Sequence, residues 1–177
     1  LQHYIVRLLT KCGIIVAIQN IVVCLVAYPC GEYSTSIFHG ESASMGGLWS
    51  LISGLVVLQA TTRDTWTSAG LRVLGTLIGA VVSALSLSFL PFGPVGMAVS
   101  IGVTIVLCQL LKVPAHGRLA VITVAVIMVI SHMNPTLSPV VNAVLRFSEA
   151  CIGAATAVVI VLVTPRTETA PEPGDQH

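Results

Sequence analysis

The chain has 177 residues, of which 55% are apolar and 8% charged, with a net charge of +1 and a mean hydropathy of +0.95. A water-soluble domain carries about a quarter charged residues, so this chain has too little polar surface to cover itself and must use lipid. No basic patch is present to follow a phosphate backbone, which argues against a nucleic-acid partner.

A membrane helix takes roughly 20 mostly apolar residues, and six segments meet that pattern. The first is predicted over about Ile5–Tyr28. It is long for a signal peptide, and Ala27-Tyr28-Pro29-Cys30 offers no cleavage site, so it reads as a retained helix. Pro29–Glu41 is expected to be a loop, with Glu32 and Glu41 and no Lys or Arg. The second segment is about Met45–Thr62, with Trp49 as an outside interfacial anchor and Trp66, beyond it, as a cytoplasmic one. The third, about Leu71–Leu90, opens on Arg72 and ends at Pro91-Phe92-Gly93-Pro94, which reads as a tight turn. The fourth and fifth are about Val95–Leu111 and Leu119–Met133, the fifth closed by His132 and Asn134-Pro135. The sixth is about Asn142–Thr164. Residues 1–165 thus form one all-α domain of six transmembrane helices, and residues 166–177 read as a disordered tail.

Charge counting sets an orientation. With the amino terminus in the cytoplasm, Arg7, Lys11, Arg63, Arg72, Lys112, Arg118 and Arg166 fall inside and Arg146 alone falls outside. Both termini are then cytoplasmic. Cys12, Cys24, Cys108 and Cys151 lie in apolar stretches and Cys30 stands alone, so neither a disulfide nor a metal site is expected, and no cofactor.

One short pattern occurs twice. Thr62, Leu71-Arg72 and Ile78-Gly79-Ala80 match Thr136, Leu145-Arg146 and Ile152-Gly153-Ala154 without a gap, 74 residues apart. Three crossings separate the copies, so the second is upside down. That predicts a 3+3 inverted-topology repeat, and it accounts for the one outside cation. Each arginine is expected near the amino end of its helix, where free N–H groups already favour an anion, and the two would mark opposite ends of a path for a carboxylate. Snorkelling to headgroups is the competing reading.

Glu149 lies three residues after Arg146, the spacing of a local helical ion pair. The sharper reading makes Glu149 a coupling group, with His132 as a second candidate. Gly75 and Gly79, and Gly153 with Ala157, form small-residue faces for close helix packing, within one bundle or between protomers. Gln19, Asn20, Gln59 and Gln109 are polar at depth, where amides either bond a neighbouring helix or line a hydrated path.

Trp49-Ser50-Leu51, Gln59-Ala60-Thr61-Thr62 and Gly70-Leu71-Arg72-Val73-Leu74-Gly75-Thr76-Leu77-Ile78-Gly79-Ala80 resemble the membrane domain of the fusaric acid resistance protein-like family, related to aromatic acid exporters and aluminium-activated malate channels. The resemblance implies a bacterial inner-membrane exporter of small organic anions, aromatic carboxylates among them, acting as a homodimer or other homo-oligomer. It places Arg72 and Arg146 on the anion path, with Gln59, Thr61 and Thr62 nearby. A passive channel, and a non-transporting subunit of an efflux complex, are the alternatives. No paired acids or nucleophile–base set points to an enzyme.

Overall fold

The computed structural model describes residues 2–90 and 92–164, with side chains from residue 13 onward. Expectations resting on the side chains of Arg7, Lys11 and Cys12, on Pro91 and on the tail from 165 lie outside that range. The described residues form six helices: α1 (Gln2–Phe38), α2 (Ala43–Val57), α3 (Thr62–Phe89), α4 (Pro94–Leu110), α5 (Pro114–Met133) and α6 (Pro139–Val163). Proline opens α4, α5 and α6, where its missing N–H costs nothing. Thr61 caps α3 by accepting a hydrogen bond from the Asp64 amide at 3.0 Å. The α4–α5 corner is closed by Val113 N–H to Cys108 O and Lys112 N–H to Gln109 O, with Lys112 at φ 56° in the left-handed region.

Apolar side chains such as Leu25, Phe89, Val95 and Val163 face outward, while polar groups such as Gln19, Asn142, Arg146 and Glu149 share the interior with apolar ones such as Ile127 and Met128. Residues Gly13–Phe38 of α1, and α3, α5 and α6, are long and apolar enough to cross a membrane. At about 1.5 Å per residue, α2 and α4 reach only about 22 and 26 Å, short of the roughly 30 Å hydrocarbon core.

α3 and α6 pack on each other at the centre. α2 lies against α6, and α5 lies against α3; α1 covers α2 and α6, while α4 covers α5 and part of α3. Glycines make the close contacts. A Cβ on Gly79 would stand 2.5 Å from Ala120 O and 2.7 Å from Thr123 Cβ on α5. A Cβ on Gly153 would meet Ser50 O on α2 and stand 2.7 Å from Ser53 Cβ and Gly54 N. Gly75 faces His116 O and Leu119 on α5, and Ala157 is fully buried among Val57, Ala69, Ala154 and Val158. Lipid supplies no hydrophobic drive between helices, so such backbone approach is what holds the bundle.

Several boundaries differ from expectation. α1 runs on through Pro29 to Phe38, so the expected Pro29–Glu41 loop shrinks to His39–Ser42, most of it a single 3₁₀ turn. A proline is tolerable inside a membrane helix where local adjustment re-satisfies the backbone groups it frees. α2 stops at Val57 and α3 begins nine residues earlier than predicted, at Thr62. Thr61 is a helix cap, and the charged stretch Arg63-Asp64 is helix rather than loop.

Candidate functional site

That early start of α3 moves the first arginine. Arg72 is the eleventh residue of α3 and Arg146 the eighth of α6, about 15 and 10 Å along their helices. Neither opens its helix, so their environment is the bundle interior rather than a helix terminus. Both are buried, at 6% and 4% exposure. On α6, Asn142, Arg146, Glu149 and Gly153 recur at helical spacing and form one inward stripe. Arg72, Thr76, Gly79 and Ser83 do the same on α3.

The two stripes meet. A small cavity of about 10 Å³ is walled by Arg72 and Thr76 of α3, Arg146 of α6, Trp49 of α2, and Ile122, Thr123 and Val126 of α5. Such a space holds about one water-sized occupant. The expectation that the arginines mark opposite ends of a path is therefore corrected: they line one central cavity. Trp49, expected at the outer interface, is also part of that wall, whereas Trp66 is exposed.

Each arginine is held differently. Arg72 donates from Nε and Nη2 to Ser53 Oγ, at 3.1 and 2.9 Å. Arg146 Nη2 lies 2.9 Å from Glu149 Oε1, and the same oxygen accepts from Thr35 Oγ1 of α1 at 2.8 Å. The Arg146–Glu149 contact is a close charge pair but lies off the hydrogen-bond axis, so Arg146 Nε, Nη1 and Nη2 have no acceptor among the described residues. Trp49 Nε1 and Thr76 Oγ1 are likewise buried and unpartnered. A cavity whose free polar atoms are N–H and O–H donors, backed by two guanidinium groups, is chemically suited to an anion.

The remaining candidates lie elsewhere. Gln59, Thr61 and Thr62 sit at the α2–α3 junction, where Gln59 N–H donates to Thr65 Oγ1 and its side chain to Val56 O. His132 stacks on Phe92 with ring centroids 4.3 Å apart, in a separate cavity of about 200 Å³ bordered by Leu90, Pro135 and Pro139. The structure does not bring it to Arg146 or Glu149. Gln19 donates to Thr164 O and Oγ1, tying α1 to the end of α6, while Asn20 donates to Val16 O in its own helix. Gln109 is exposed.

Thr35, Ser53 and Thr76, the α5 wall residues Ile122, Thr123 and Val126, and the inward role of Trp49 were missed from sequence. Thr76 follows Arg72 by four residues within the predicted Leu71–Leu90 helix, so its place on the same helix face was available from the sequence. Thr35 was hidden because its segment reads as loop.

No curated protein and no solved structure matches the chain. A family model described as fusaric acid resistance protein-like matches residues 36–160, a span that holds α2 to α5 complete, most of α6 and every residue of the cavity wall. The chain thus belongs to the fusaric acid resistance protein-like family.

Proposed function

We propose that this protein carries small organic anions, aromatic carboxylates included, across the bacterial inner membrane, with the cavity between Arg72 and Arg146 as the narrowest part of the path. One observation carries the reading: two buried arginines from different helices converge on a space whose other free polar atoms, Trp49 Nε1 and Thr76 Oγ1, are donors. Buried cations without full compensation are costly, and a passing carboxylate offsets that cost. At about 10 Å³ the cavity is closed to a carboxylate, so passage requires helices to part around it.

In this reading the domain is a 3+3 inverted repeat with six crossings and both termini in the cytoplasm. The packing supports it. Gly79 rests on Ala120 O and Thr123 of α5 as Gly153 rests on Ser50 O and Ser53 of α2. The glycines differ by 74 in number, whereas the residues beneath them differ by 70 at both points. One helical turn of slack between the copies accounts for the difference. Arg72 bonds Ser53, and its counterpart Arg146 shares a cavity with Thr123. Assembly as a homo-oligomer belongs to the same proposal.

The test is anion flux from proteoliposomes holding only this protein. Benzoate should move, and flux should fall at least tenfold in an Arg146→Gln/Glu149→Gln double variant, which removes both charges without leaving a lone carboxylate. Undiminished flux in the folded double variant removes Arg146 from the path. No flux in the unmodified protein shifts the reading to a subunit that works only with a partner.

A further inference from the structure

We infer that Glu149 sets the valence of the anion this site accepts, making it a site for one monovalent anion. The inference rests on the anion-path reading above and concerns the charge of its walls. Among the described residues, Arg72, Arg146 and Glu149 are the charged side chains that are buried. Lys112, Arg118, Arg63 and Asp64 are exposed, and Glu32 is half-buried on α1. The partner of Arg72 is the neutral hydroxyl of Ser53. With Glu149 ionised against Arg146 at 2.9 Å, the buried set sums to one positive charge.

Glu149 does not line the cavity. It stands behind Arg146, with 0% exposure, fixed by the guanidinium at 2.9 Å and by Thr35 Oγ1 at 2.8 Å. On its α2 side it meets Gly46, whose Cβ position lies 2.9 Å from Oε1. The carboxylate is thus held behind the wall rather than offered to the path, and it cancels one of the two arginine charges in a medium that screens poorly.

A monoanion brings the buried charge to zero. A dianion leaves one negative charge uncompensated in the same low-dielectric space, which is the more costly arrangement. Valence selection then follows from the wall's charge count, with shape acting separately. Neutralising Glu149 raises the wall to two positive charges, and a dianion becomes the ligand that balances it.

Two probes of nearly equal bulk separate charge from size: phthalate, a dianion at neutral pH, and monomethyl phthalate, a monoanion. Binding is read from the fluorescence of Trp49, which lines the cavity, in a Trp66→Phe background that leaves it as the one tryptophan of the chain's two. The protein with Glu149 should bind the monoester at least tenfold more tightly than the diacid. In Glu149→Gln, which keeps an acceptor for Thr35, the ratio should fall at least tenfold and move toward the diacid. Arg72→Gln, which brings the wall to zero, should weaken monoester binding at least tenfold, and it tests the same count if Glu149→Gln does not fold. Preference for the diacid with Glu149 intact, or a ratio unmoved by Glu149→Gln, overturns the inference while leaving an anion site in place. Binding of neither probe to either form removes the anion site and the inference with it.

Discussion

α3 and α6 carry the same arginine-to-glycine spacing, yet they differ three residues after the arginine, where α3 has Gly75 and α6 has Glu149. Gly75 lies against α5, its Cβ position 3.1 Å from His116 O, while Glu149 lies against α2 at Gly46. In each copy one side of the contact is glycine, because the helices are too close for side chains on both. The first copy places the glycine on the arginine-bearing helix. The second places it on the neighbour, and the space so freed holds a carboxylate. A repeated packing scaffold thus supports two unlike electrostatic environments, one arginine on a hydroxyl and the other on an acid.

The contrast is broken most severely at Arg146. Arg146→Ala leaves Glu149 buried without a counter-charge and should cost about 3–5 kcal/mol of stability. Arg72→Ala leaves only Ser53 Oγ without its donor and should cost about 1–3 kcal/mol. Unfolding in detergent micelles, followed by helical circular dichroism, compares the two. Adding Glu149→Gln to Arg146→Ala should recover part of the loss but should recover nothing when added to Arg72→Ala. Equal costs for the two arginines would mean that the acid does not distinguish the copies.

The glycine contacts sharpen the comparison at the level of backbone approach. Gly153→Ala forces a methyl onto Ser50 O and Gly54 N, which are backbone atoms that cannot swing aside. A loss of about 3 kcal/mol is expected. Gly79→Ala meets Ala120 O but also the side chain of Thr123, which can shift, and should cost about 2 kcal/mol. The same unfolding measurement ranks them. A Gly79 variant less stable than the Gly153 variant would show that α3–α5 is the tighter seam.

Much of this architecture was legible in the chain. All six apolar segments became helices, and the ends set by Pro94, Met133 and Leu110 fell within a residue of expectation, because proline and turn residues act locally. The failures share a cause. Hydropathy marks where a segment is apolar, not where its helix stops. Pro29–Phe38 is polar enough to read as loop, and Arg63–Gly70 falls between two predicted segments, yet both are helical. Both errors displaced the site. The late start assigned to α3 put Arg72 at a helix end, and the early end assigned to α1 hid Thr35. The Arg146–Glu149 pair needed only a spacing of three on one helix and was found. Trp49 needed the three-dimensional packing of α2 and was not.

Thr35 marks the finest difference between the copies. Its hydroxyl gives Glu149 Oε1 the one hydrogen bond it receives from a second helix among the described residues, and α1 supplies it seven residues beyond Tyr28, where that helix was expected to end. Thr35→Val keeps the shape and removes the donor, so Glu149 would keep its charge partner and lose one neutral bond. The expected cost is about 1 kcal/mol. Ser36→Ala, one residue on, removes an exposed bond to Tyr33 O in the same helix and should be close to silent by thermal unfolding. Because the carboxylate then leans on Arg146 alone, Thr35→Val should also lower the monoester preference by less than Glu149→Gln does. A Thr35→Val protein as stable as Ser36→Ala would mean that α1 merely covers the acid and does not help to hold it.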